Sequence, residues 1–177
     1  HADGILVSPV TGIKKKGDFT STAIIHCFEK LIEEGFYNPF GVLIGPLNTY
    51  SRYCGPREAI FTALCRKNFG CNHFIIGRDH TGVGDYYSSE DSIRIFDQFD
   101  LGMNILCYEK ISYCPKRDIY TNKFEDEELN QNKLELSGTL TRNYISNGEK
   151  TPQYLINSSI SAKLDEMFRN DPDSVFV

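Results

Sequence analysis

Arg78, Asp79 and His80 stand in a row within Gly77-Arg78-Asp79-His80-Thr81-Gly82-Val83-Gly84-Asp85-Tyr86. The glycines let backbone approach a ligand closely and present N–H groups to an anion. Arg78 offers a planar fork that matches phosphate or sulfate oxygens. Asp79 can pin a neighbouring loop, and His80 can donate to a phosphate oxygen or titrate. The same residues also fit a glycine-rich surface turn carrying an Arg–Asp pair. The crowding of three polar side chains after an apolar run favours the functional reading.

Two further segments have the same character. Tyr50-Ser51-Arg52-Tyr53-Cys54-Gly55-Pro56-Arg57-Glu58 runs into a helix start, where unpaired N–H groups suit an anion. It is no Walker loop, because no Gly-Lys-Ser follows, and it also fits a plain strand-to-helix connection with solvated arginines. Leu136-Ser137-Gly138-Thr139-Leu140-Thr141-Arg142 places two hydroxyls, Ser137 and Thr139, at another helix start with Arg142 able to face it. A simple helix cap explains that segment equally well.

The elements around these segments alternate between apolar runs and helical periodicity. Strands are expected near residues 5–8, 41–45, 73–77 and 103–108. Between them, Thr20 to Glu34 carries Ile24, Phe28, Leu31 and Ile32 at helical spacing and stops at Gly35. Pro56 opens a second helix, and Ser88 or Ser89 caps a third with Glu90 and Asp91 in its first turn. This order predicts an α/β fold: one parallel sheet with helices on both faces. In such a sheet the strand ends at Ile44 and Ile76 lie side by side, so the 50–57 and 77–85 loops line one pocket. Residues 1–108 form the expected nucleotide-binding portion. Residues 109–177 form a small, mostly helical C-terminal subdomain with a polar excursion over 113–133. The tail from Asn170 is expected on the surface.

Composition narrows the function classes. The chain has 177 residues, 40% hydrophobic and 24% charged, which is ordinary globular usage. Nineteen basic against 24 acidic residues give a net charge of −5, unlike a generic nucleic-acid binder. No run approaches a membrane span and no signal-peptide pattern opens the chain, so a cytoplasmic protein with neither nucleic-acid nor membrane partner is expected. Six cysteines without a Cys-x-x-Cys pair, several inside apolar runs, read as buried free thiols in a reducing compartment.

Together the three segments resemble the ATP sulfurylase, or sulfate adenylyltransferase, family. The match to Gly-Arg-Asp-His-Ala-Gly falls at 77–82, with Thr81 for alanine. Arg-Tyr-Ala-Gly-Pro-Arg-Glu-Ala falls at 52–59, with Cys54 for alanine, and Ile-Ser-Gly-Thr-x-x-Arg at 136–142, starting with Leu136. The resemblance covers about residues 3 to 165. The family's Gln-x-Arg-Asn-Pro-x-His-x-x-His motif and its N-terminal β domain have no counterpart here. The chain is therefore expected to be the later part of a catalytic domain, holding about half of an active site.

The resemblance implies a Rossmann-like nucleotidyltransferase that moves AMP from ATP to sulfate, giving adenosine 5′-phosphosulfate and pyrophosphate. It implies that Arg78 and His80 are catalytic. Gly77, Arg78, Asp79, His80 and, through its backbone, Ile111 would bind ATP. Arg78 and the Thr81 N–H would bind sulfate. Arg52, Gly55, Ser137, Thr139 and Arg142 would support them. Magnesium would arrive on ATP without a protein cage. A structural zinc is not expected, because only Cys114 stands where some relatives carry a Cys/His knuckle. A homo-oligomer or a partner segment would supply the missing motif. The alternative is a non-catalytic nucleotide-binding or regulatory domain derived from the family.

Overall fold

The structure is a computed structural model and describes residues 2–77, 86–88, 90–124 and 127–177. It divides into two compact units, Tyr50–Lys110 and Asp3–Thr49 with Ile111–Val177. Where a boundary at residue 108 was expected, residues 3–49 here pack with the C-terminal stretch. The reason is that helix α1 (Ser21–Glu33) packs on the last helix, Ser158–Asn170.

In the Tyr50–Lys110 unit, α2 (Pro56–Asn68) leads into β3 (His73–Gly77). A short helix, α3 (Asp91–Arg94), continues as a 3₁₀ turn and is followed by β4 (Asn104–Tyr108). β3 and β4 are parallel and in register from His73↔Asn104 to Gly77↔Tyr108. Ala59 and Ala63 of α2 bury Phe74 and Ile76, with Ile93, Phe96, Leu101, Met103 and Ile105 around them. Small alanines let the helix approach the strands closely. Phe74 and Ile76 alternate with Ile75, which is 65% exposed. Within this unit the helices thus share one face of the strand pair. Strand periodicity marks which face is apolar and not how many helices reach it.

In the other unit, β1 (Ile5–Val7) and β2 (Val42–Ile44) pair in parallel, Ile5↔Val42 to Val7↔Ile44. The connection between them is α1 (Ser21–Glu33), capped by the Thr20 hydroxyl, which accepts the Ala23 N–H at 3.0 Å. The four parallel strands therefore form two hydrogen-bonded pairs and not one four-stranded ladder. A βαβ pattern dictates which strands pair across each crossover, and it leaves the joining of successive pairs open.

Beyond Lys110 the chain adds a small sheet to its helices. β5 (Ser112–Cys114), β6 (Ile119–Thr121) and β7 (Leu134–Glu135) form an antiparallel sheet with β5 in the middle. α4 (Glu127–Gln131) lies between β6 and β7 in the chain. Each strand is too short to show period-2 alternation, so the excursion looked merely polar. A turn with Asp118 at φ 53° joins β5 to β6, and Tyr113 stacks on Tyr154 at 5.5 Å and meets Tyr120 at a tilt, 5.2 Å away.

α5 (Gly138–Ser146) and α6 (Ser158–Asn170) complete this unit. Its core is Ala23, Ile145, Ile160, Leu164 and Val175. Val175 belongs to the tail expected on the surface, yet it is fully buried. The tail instead runs beside the start of α1: Thr20 N–H donates to Val175 O at 2.8 Å and Phe19 stacks on Phe176 at 5.2 Å. All six cysteines are free, but only Cys114 is buried, while Cys54 and Cys107 are exposed. Among the described residues no helix is long and apolar enough to cross a membrane.

Candidate active site

The parallel pair β3·β4 ends level at Gly77 and Tyr108. Ligands of open parallel sheets bind beyond this carboxyl edge. Gly77 is exposed and has open space where a side chain would project. Arg78, Asp79, His80 and Thr81, the residues with the strongest claim on chemistry, lie outside the described residues. The stretch is bracketed by Gly77 and Tyr86, and both brackets are described.

The start of α2 is built around a buried carboxylate. Gly55 is the N-cap and Pro56 the first helical residue. Glu58, 5% exposed, turns back over this start. Its Oε1 accepts the Arg52 N–H at 2.8 Å and its Oε2 accepts the Cys54 N–H at 3.1 Å. The loop between has left-handed backbone at Tyr53 and Gly55, both at φ 54°. For tyrosine that conformation costs of order 1–3 kcal/mol, which two charge-assisted hydrogen bonds offset.

Arg52 lies in an aromatic clamp. Its guanidinium carbon is 4.4 Å from the Tyr50 ring centre and 4.6 Å from that of Phe61, and Nη1 donates to Tyr50 O at 3.0 Å. Gly55 is buried against Tyr87: a Cβ at residue 55 would sit 2.5 Å from the Tyr87 ring. The chain that leaves β3 at Gly77 therefore returns at Tyr87 to the start of α2. A cleft of about 620 Å³ opens at the end of β4, lined by Ile93, Arg94, Cys107, Tyr108 and Lys110 among others. Arg94 there donates to Glu90 at 2.7 Å, and burial pushes the Cys107 thiol pKa up.

The remaining candidates fall in the other unit. Ser137 Oγ accepts the Leu140 N–H at 3.2 Å, so it is the cap of α5. Arg142 reaches back along the helix and donates to Thr139 Oγ1 at 3.1 Å. A cation thus stands beside a helix start whose first N–H groups have no partner within the helix. Ile111 is 38% exposed and immediately precedes β5. Arg52, Gly55 and Gly77 belong to one unit, and Ile111, Ser137, Thr139 and Arg142 to the other.

Sequence reasoning passed over Glu58 and Tyr87. A glutamate three residues after the cap is the signal for Glu58, since that position commonly reaches back to free N–H groups. Here it reaches further, to residues 52 and 54. No local pattern marked Tyr87, whose partner is fixed by the return of the chain.

Parallel strands joined through helices define an α/β protein. The chain belongs to the ATP-sulfurylase family, whose model matches residues 1–167. The sulfate adenylyltransferase of Cenarchaeum symbiosum is 39% identical over 160 residues, covering 90% of this chain and 42% of the relative. That of Synechococcus elongatus is 35% identical over 175 residues, covering 97% and 44%. The chain spans less than half the length of these relatives. Among solved structures, the hexameric APS kinase from Thiobacillus denitrificans matches 96% of this chain and 31% of its own, with TM-score 0.60 and 17% identity. At that identity the likeness is one of fold.

Proposed function

We propose that this chain carries part of the active site of a sulfate adenylyltransferase, a nucleotidyltransferase that joins ATP and sulfate to give adenosine 5′-phosphosulfate and pyrophosphate. The observation that carries the reading is the seating of Tyr87 on Gly55 at the start of α2. It brings both ends of the 77–87 connection to the unit that holds Arg52 and Glu58. Family membership supplies the chemistry.

A sulfate oxygen attacks the α-phosphorus, and the bond to the bridging oxygen of pyrophosphate breaks in line. Sulfate is a weak nucleophile and carries charge toward a charged phosphate. Catalysis then rests on positioning two anions and on stabilising the charge that builds between them. Arg78 neutralises sulfate and the adjacent phosphate. His80 donates to a phosphate oxygen, while Gly77, Asp79 and the Ile111 backbone hold the nucleoside. The Thr81 N–H holds sulfate. Arg52 and Gly55 take a supporting role. Ser137, Thr139 and Arg142 offer a second anion contact. Magnesium bound to the phosphates of ATP supplies further charge neutralisation and needs no dedicated protein cage. A reducing cytoplasm suits free thiols, and a second copy or a further segment completes the anion site.

The test is ATP- and sulfate-dependent pyrophosphate release by the parent protein, with Arg78→Ala beside it. Loss of one transition-state donor lowers kcat by about 10²–10³-fold. Nucleotide binding without turnover in the parent favours a non-catalytic nucleotide-binding domain instead. Turnover that is unchanged in Arg78→Ala removes the site assignment.

A further inference from the structure

We infer that Glu58 is a positioning residue for the adenylyl transfer, acting through the 52–55 backbone on the seat of Tyr87; the inference rests on the reading just given. Glu58 touches no substrate in this scheme. Its two oxygens hold the N–H groups of Arg52 and Cys54, one on each side of Tyr53.

The backbone of the turn sets what it presents to its neighbours. With Tyr53 and Gly55 both left-handed, residue 55 presents its bare α-carbon to the Tyr87 ring. A shift of that turn moves the surface on which Tyr87 rests. Tyr87 closes the connection that begins at Gly77, so its seat sets where that connection ends. The Tyr50–Arg52–Phe61 clamp anchors the other side of the turn to α2. A buried carboxylate, a left-handed tyrosine and a glycine that cannot carry a side chain all converge on one contact. Folding alone does not require that cost: a Ser or Asp cap would satisfy a helix start more simply.

The chemistry of Glu58 explains why its charge matters. Both oxygens accept, and a carboxylate accepts through both. The amide of glutamine keeps one acceptor and puts an NH₂ against the other N–H. The turn then loses one restraint while the side chain keeps its size. Aspartate is one methylene short and cannot reach both N–H groups from the helix.

The experiment measures kcat, KM for ATP and thermal midpoint in the parent protein for Glu58→Gln, Glu58→Asp, Tyr87→Phe, Tyr87→Ala and the Glu58→Gln/Tyr87→Ala pair. Glu58→Gln is expected to lower kcat at least tenfold, with KM for ATP changed less than threefold. Tyr87→Phe keeps the ring and is expected to stay within twofold of wild type, whereas Tyr87→Ala falls with Glu58→Gln. The double variant is expected to be no slower than the slower single one, because both changes act through one contact. Multiplying losses in the double variant, or an unchanged kcat in Glu58→Gln, overturns the inference. If Glu58→Gln does not fold, Tyr87→Ala and Tyr87→Phe decide alone: equal rates in the two overturn it. A wild type without ATP- and sulfate-dependent turnover removes the functional reading and this inference with it. Turnover in wild type matched by every variant removes only the inference.

Discussion

The Thr20 hydroxyl donates to the carbonyl of Ser174 at 2.6 Å, across 154 residues of chain. The same oxygen accepts the Ala23 N–H and so caps α1. One side chain thus joins the start of the first helix to the tail. Around it, Val177 N–H donates to Asp18 O and Gly17 N–H to Val177 O, at 2.9 and 2.8 Å.

Thr20→Ala is therefore expected to cost more than an ordinary cap. Loss of the cap and of a long-range hydrogen bond together comes to about 1–3 kcal/mol. Thr20→Ser keeps both bonds and is expected to recover most of it. Denaturant unfolding followed by circular dichroism checks the pair; equal stability of the alanine and serine variants would show that the hydroxyl is idle.

Removing the tail attacks the core directly. Val175 shares its cluster with Ala23, Ile145, Ile160 and Leu164. Leu164→Ala is expected to cost about 2–5 kcal/mol through lost contacts and a cavity. Val175→Asp, which buries an unpaired carboxylate among these side chains, is expected to leave the unit unfolded at room temperature. A cooperative thermal transition in Val175→Asp at the wild-type midpoint contradicts the docking of the tail.

Gly55→Ala meets two obstacles at once: a positive φ of 54° and a Tyr87 ring atom at 2.5 Å. The expected destabilisation is about 1–3 kcal/mol from the backbone, with the steric term added. Combining it with Tyr87→Ala relieves the steric part and leaves the backbone part. The double variant is thus expected to lie between wild type and the sum of the single losses. Strict additivity in chemical denaturation rules out the contact.

Thiol chemistry gives a pH test. Burial pushes the Cys27 pKa up to about 11. Unfolded, the same thiol ionises in its ordinary lower range, so the folded chain keeps the proton longer. Stability linked to Cys27 is complete below the ordinary thiol range and is lost as pH rises toward about 11. Cys27→Ala is expected to flatten that alkaline decline. At neutral pH, iodoacetamide is expected to label exposed Cys54 well before half-buried Cys27, as read by peptide mass spectrometry; the reverse order refutes the shielding of Cys27.

Tyr113 gives a second. Its hydroxyl donates to Asp118 Oδ1 at 2.7 Å, and that bond, ahead of burial and nearby charge, raises the phenol pKa. Phenolate absorbance in Asp118→Ala is expected to appear at lower pH than in wild type. Superposable titrations argue against the bond.

Much of the local structure was legible because its causes are local. Gly35 follows the end of α1, and its N–H and that of Phe36 satisfy the last carbonyls at Ile32 and Leu31. Pro56 begins α2 at the position where a missing N–H costs nothing, and Ser137 caps α5 as its type suggests. Three motifs in order pointed to the family that the chain belongs to. The hairpin at Cys114 to Ile119 stayed hidden, because three-residue strands carry no readable period.

What the sequence by itself determined is the set of elements, the pairing of strands across each crossover, and the residue types available for anion chemistry. Helix periodicity, caps and glycine stops act over a few residues, so a single chain records them plainly. Tertiary structure alone decided that Val175 is buried, that residues 3–49 pack with 111–177, and that Tyr87 rests on Gly55 at the turn held by Glu58. Each of those depends on surfaces brought together from distant positions. Neither the Val175 side chain nor the bare α-carbon of Gly55 signals its partner until the chain has closed around it.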